Sequence, residues 1–132
     1  MSIEKYADFR NEETFPPFAN LPEEHEINLS FYEISGNHVY KPRRHWCFLA
    51  EIFDVEGFIR LRLMVRDKRG VAAPVAFYAD DKGAEFTHQA RPGFTVAILY
   101  AHQHGFLDMT VGVRLEENSV CKVKCLVWVR VQ

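Results

Sequence analysis

The chain is poor in the features that usually announce a chemistry. It holds three cysteines in 132 residues and no Cys-x-x-Cys pair, so neither a disulfide framework nor a zinc finger is written in it. No apolar run approaches the roughly 20 residues that a bilayer-spanning helix needs. The opening Met-Ser-Ile-Glu-Lys also lacks the charged-then-apolar layout of a signal peptide. These absences predict an intracellular protein, cytoplasmic or nuclear, without a membrane partner. There is no Gly-x-Ser-x-Gly elbow, no glycine-rich phosphate loop and no His-Glu-x-x-His. Catalysis therefore has no signature, and no cofactor is implied.

What the chain does contain is material for one core: 48% of its residues are hydrophobic and 26% charged, the balance of a single globular domain. The net charge of -2 hides an asymmetry. Residues 1–40 carry eight acids against two bases, a net of -6, and residues 41–132 carry 14 bases against 10 acids, a net of +4. An acidic segment of opposite sign to the body can lie across a basic surface and compete with an anionic partner, within a Debye length of about 8 Å. The plainer alternative is a solvated arm. Residues 1–24, with Pro16, Pro17, Pro22 and the isolated Phe9, Phe15 and Phe18, resist a regular element. The expected organisation is an acidic arm over 1–24 and one β domain over 25–132.

From Glu26 onward the apolar period becomes two, with Ile27, Leu29 and Phe31 on one side of a short strand that stops at Ser35-Gly36-Asn37. Arg44 to Asp54 reads as the next strand. Phe58 to Asp67 alternates Ile59, Leu61, Leu63 and Val65 against Arg60, Arg62, Met64 and Arg66, then turns at Asp67-Lys68-Arg69-Gly70. Pro74 to Ala79, the apolar run Phe94 to Ala101, Val111 to Leu115, and Cys121 to Val131 complete the set. The expected fold class is all-β, a small antiparallel barrel or sandwich with an irregular N-terminal arm.

Two segments favour the barrel. Ile59 to Tyr78 resembles the second strand, Asp-x-x-Gly turn and third strand of an OB-fold, and Arg91 to Ala101 is similar to the glycine-led fourth strand that follows its variable connection. The resemblance spans residues 44 to 131 and implies a closed or partly open OB-like barrel. A narrower set, Pro74 to Asp81, Gly93 to Ala101, His104 to Asp108 and Val111 to Glu116, resembles an uncharacterised fungal domain often found before a MYND-type zinc finger. That family implies an interaction role. The Cys/His cluster of the finger itself is not in this sequence.

In an OB-fold, ligands lie across strands two and three and the adjacent loops. The alternation places Arg60, Arg62 and Arg66 on the outward face of strand two, with Tyr78 beside them on strand three as a stacking platform. Lys122, Lys124, Trp128 and Arg130 form a second row of cations with a large aromatic on the last strand. Interleaved cations and aromatics suit single-stranded nucleic acid, since stacking contributes about 1–3 kcal/mol per base. They equally suit a protein interface or a homodimer, where Trp and Arg are common anchors, and an acidic chain favours that class. Of the six histidines only His102-Gln103-His104 has metal-ligand spacing, with Asp108 downstream, and such a pair is commonly bonded to backbone or solvent. Cys121 and Cys125 share a strand face but lie roughly 13 Å apart at strand rise, so they read as small core residues.

Overall fold

The computed structural model describes residues 8–125. The main sheet comprises β3 (Cys47–Glu56), β4 (Arg62–Arg66), β5 (Ala72–Phe77), β6 (Thr95–Leu99), β7 (His104–Gly105), β8 (Val111–Leu115) and β9 (Cys121–Lys124), in the order β7-β8-β5-β4-β3-β6-β9. β1 (Tyr32–Ile34) and β2 (Tyr40–Pro42) form a separate two-stranded sheet.

The pairing explains the shape. β3 pairs antiparallel with β4 on one side and β6 on the other, β4 continues antiparallel to β5, and β5 pairs with β8 in parallel. β8 and β9 are nearly one strand, separated by the 3-10 turn Asn118–Val120. The first half lies against β5 and the second against β6, so the chain links the two flanks of the sheet although no ladder closes it. This is the strand order of a partly open OB-like barrel. It is antiparallel throughout except for β5 and β8, a parallel contact that hydrophobic periodicity alone cannot reveal.

The core follows the alternation expected on β4. Leu63 and Val65 are fully buried, while Arg62 and Met64 are half-buried and Arg66 is exposed. Phe48, Ala50 and Ile52 of β3, Val75 and Phe77 of β5, Val96 and Ile98 of β6, and Val113 and Leu115 of β8 join them. Trp46 is wholly buried, donates its indole N–H to the Ala101 carbonyl at 3.0 Å, and meets Phe31, Tyr32, Tyr100 and His102 edge-on.

Three sequence expectations are corrected. The segment from Glu26 is not a strand with Ile27 and Leu29 on its inner side. Both are exposed, at 54% and 60%, and the chain turns through Asn28, which binds the N–H groups of Ser30, Phe31 and Tyr32. An asparagine-led turn competes with the ladder there. The strand expected from Phe58 starts only at Arg62, because Arg60 and Leu61 are held by Phe77 at the end of β5 and by Tyr78 and Lys82 beyond it. The strand expected over Cys121 to Val131 is present as Cys121–Lys124; Cys121 is buried as expected, Cys125 lies past the strand end and is exposed rather than in the core, and residues 126–131 lie outside the described residues.

The arm feeds the core. Phe18 and Leu21 are buried in it, and Phe18 meets Phe48 edge-on. Asp67, itself buried, accepts the Phe18 N–H at 2.7 Å through Oδ2 and the N–H groups of Arg69 and Val71 through Oδ1. One carboxylate thus shapes the β4–β5 turn and fastens the arm to it.

Candidate functional site

The outer face of β4 and β5 and the loops above it gather most of the unusual side chains. Arg60 lies 3.8 Å above the Tyr78 ring and donates to the Phe77 carbonyl at 3.1 Å. Arg114, from β8, lies 4.4 Å from the same ring and pairs with Glu116 at 3.2 Å. Tyr78 is therefore not an open platform: guanidinium groups of its own chain stack on it. Register places Arg62, Ala76 and Arg114 in one row across β4, β5 and β8, which sequence spacing within a single strand could not show.

Arg62 reaches across that row to Asp108 and Thr110, both at 3.3 Å, and stands 5.7 Å from the Phe106 ring. Asp108 also accepts the Thr110 N–H and hydroxyl. These hydrogen bonds, from Thr110 first and then Arg62, hold its carboxyl below the ordinary carboxylate range. Arg66 stacks 4.0 Å from Phe53. Lys122 and Lys124 are exposed on β9, but β3 and β6 intervene between β9 and β4. At about 4.8 Å per strand, the two lysines belong to a different part of the wall. Trp128 and Arg130 lie outside the described residues.

Two loop tips flank this face. Phe58 and Ile59, in the loop between β3 and β4, are 98% and 67% exposed, and Leu107 and Met109, in the hairpin between β7 and β8, are 105% and 90% exposed. The Arg62 to Asp108 contact brings the two loops to the same end of the barrel. The hairpin is closed by its own backbone, and the other loop is anchored at its base. The hairpin is closed by the Phe106 N–H to the Thr110 carbonyl at 2.8 Å and the Met109 N–H to the Phe106 carbonyl at 3.0 Å, while Leu61 donates to the Lys82 carbonyl and accepts from the Phe77 N–H. Sequence reasoning missed these four residues. Their signal was large apolar side chains beside turn residues, Gly57-Phe58-Ile59 and Leu107-Asp108-Met109, where a turn ordinarily carries polar ones.

The metal-spacing histidines are not brought together. His102 Nε2 lies 2.6 Å from the Tyr32 hydroxyl, His104 pairs with Glu24 of the arm, and Asp108 is engaged by Arg62. Among the described residues, no group of three or more His, Cys, Asp or Glu is placed to hold a metal ion. Burial pushes the thiols of Cys47 and Cys121 up to about 11 and about 12, so neither is a thiolate near neutral pH.

Burial beside Trp46 also holds His102 below the ordinary imidazole value. With the ring neutral and Nε2 unprotonated, the Tyr32 phenol donates to it. The unfolded chain binds this proton more readily, so the stabilising contribution is present above the ordinary value of about 6.5. It is lost as pH falls through that value towards the lowered one. The expected result is a lower unfolding midpoint at pH 5.5 than at pH 7.5, with a shallower pH dependence in His102→Gln. An unchanged slope in that variant contradicts the assignment.

No family model matches the chain, so the resemblance to the fungal domain gains no support there, and no curated protein matches it. Seven chains of solved structures match. One belongs to a replication protein A heterotrimer bound to single-stranded DNA, at a TM-score of 0.45 and 9% identity, over 83% of this chain and 75% of that one. No helix among the described residues is long and apolar enough to cross a membrane.

Proposed function

We propose that this chain is a non-enzymatic binding module that docks a protein through the loop end of its barrel. The observation that carries the reading is the pair of loop tips presenting Phe58, Leu107 and Met109 almost fully, and Ile59 largely, to solvent. Burying such side chains contributes about 25 cal/mol per Å², and the hairpin tip, already closed by its own hydrogen bonds, loses little entropy on docking. Large apolar side chains gathered in one place favour an interface over a bare surface.

The surrounding charges support protein over nucleic acid. Arg60, Arg62, Arg66 and Arg114 share their part of the surface with Glu51, Asp54, Glu56, Asp108 and Glu116, an excess of one acid. Phosphate binding needs a positive field, whereas this field is mixed.

The test is affinity capture on the immobilised full chain, with bound proteins identified and the strongest of them purified for titration. Phe58→Asp combined with Leu107→Asp is expected to weaken that purified partner at least about 30-fold, the scale of an interface hot spot. Val39→Asp, at a position 59% exposed in the separate N-terminal hairpin, is expected to leave it unchanged. Equal loss in both variants, or loss in neither, overturns the reading.

A further inference from the structure

The outer face beneath the loop tips carries two columns of opposite charge. On β3 stand Glu51, Asp54 and Glu56, and on β4, directly opposite them in register, stand Arg66, Met64 and Arg62. Cross-strand partners of opposite sign commonly satisfy one another, yet none of the ion pairs among the described residues uses Glu51, Asp54 or Glu56. Arg66 instead lies over the Phe53 ring, 4.0 Å from its centre. Arg62 is taken by Asp108. Among the described residues the three acids are left without a charged partner, beside Arg66 and Arg62 at the heights of Glu51 and Glu56.

We propose that the protein this face accepts is a second copy of the chain, docked face to face about a two-fold axis parallel to the strands. The inference rests on the reading of the loop end as a protein-docking surface and names its partner. With such an axis between β3 and β4, β3 of each copy lies over β4 of the other. Glu51 then faces Arg66 of the second copy at the same level, twice by symmetry, and Glu56 faces Arg62. Packed sheet faces lie about 10 Å apart, a gap that facing glutamate and arginine side chains span together. The same axis brings Phe58, Ile59, Leu107 and Met109 of both copies to one end of the interface, where their apolar surface is removed from water. Turning one copy end for end places β3 over β3 and acid over acid. The charge pattern therefore selects one arrangement, and the interface is isologous and closes as a dimer.

The intramolecular and intermolecular roles of these charges separate by mixing. Sedimentation of the full chain at low salt is expected to show mass rising from monomer to dimer with concentration. Glu51→Lys faces Arg66 with a like charge, and Arg66→Glu does so with Glu51, so each variant alone is expected to dimerise at least tenfold more weakly. An equimolar mixture of E51K and R66E chains restores both attractive pairs across a heterodimer and is expected to recover wild-type affinity. Unfolding midpoints of the two exposed-site variants verify that both are folded, and Leu107→Asp provides an independent disruption through the apolar end. A wild type that stays monomeric, or a mixture no tighter than its components, overturns the proposal. If the monomer still binds a different purified partner that F58D/L107D releases, the docking reading stands without the dimer. If no partner depends on the tips either, both fall.

Discussion

Gly112→Ala is expected to destabilise the fold by more than about 4 kcal/mol, the range reserved for substitutions that force the backbone apart. A β-carbon at residue 112 would stand 2.1 Å from the Pro74 carbonyl oxygen and 2.7 Å from its ring. No flexible side chain can yield there. The obstruction is the backbone of β5, which is paired on its other side with β4. Relief requires β8 to draw away from β5, breaking the parallel contact and unseating Val113 and Leu115 from the core. The hairpin carrying Leu107 and Met109 would move with it, so the same variant is expected to lose partner binding. Gly105→Ala, in β7 where an added β-carbon meets nothing within 4 Å, is the matched comparison and is expected to change stability by less than about 0.5 kcal/mol. Denaturant midpoints of the two variants measure the difference, and similar midpoints would contradict the close packing of β8 on β5.

Removing residues 1–20 is expected to have a comparable effect. Phe15 and Phe18 are 9% and 8% exposed, and truncating a buried phenylalanine to alanine costs about 3–5 kcal/mol. Domains of this kind hold only about 5–15 kcal/mol in total. The deletion would also strip the buried Asp67 carboxylate of the Phe18 N–H. A chain beginning at Leu21 is therefore expected to lose most of its cooperative unfolding transition, and Phe18→Ala alone to lower the denaturant midpoint strongly. A shortened chain with the midpoint of the full one would show that the arm is peripheral. The acids of the arm bear on the idea that it masks a basic site. Glu12 pairs with Arg69 at 2.8 Å and Glu24 with His104; neither contacts Arg60, Arg62 or Arg66. The half-exposed Glu12 to Arg69 pair contributes little, so the hold of the arm lies chiefly in its buried phenylalanines and in the Phe18 N–H to Asp67 bond.

The parts of the fold legible in sequence were those governed by local pattern. Strand β4 and its turn could be read because Leu61, Leu63 and Val65 alternate with polar neighbours and because Asp67 to Gly70 is a strong turn signal. Val111 to Leu115 was read to its ends. The stretch from Ile27 to Phe31 misled because two apolar side chains on a turn imitate a strand, and only tertiary contacts, with Trp46 beneath Phe31, decide which of them is buried. The parallel contact of β5 with β8 depends on chain reversal over more than thirty residues, information that no local period carries.

The candidate site divides the same way. Arg62 and Arg66 stand on the outer side of β4 as the alternation gives, whereas Arg60 and Tyr78 lie beyond the strand ends, and what the four do there was hidden. Tyr78 receives Arg114 from a strand far along the chain, and Arg62 is bound by a hairpin 46 residues away. Lys122 and Lys124 are exposed as expected, yet sheet order keeps them apart from the arginines. The loop tips went unread because apolar residues next to turns are usually buried under a neighbouring loop, and here they are not.

The central claim, that the outer face and loop end serve a protein and not a nucleic acid, is tested most directly by titrating the full chain into a labelled mixed-sequence single-stranded oligonucleotide at low and physiological salt. With five carboxylates among its four arginines, the face carries no positive field, and the chain is expected to give no micromolar binding even at low salt. Micromolar binding that weakens steeply as salt rises, and that is lost on charge reversal at Arg66, would contradict the account.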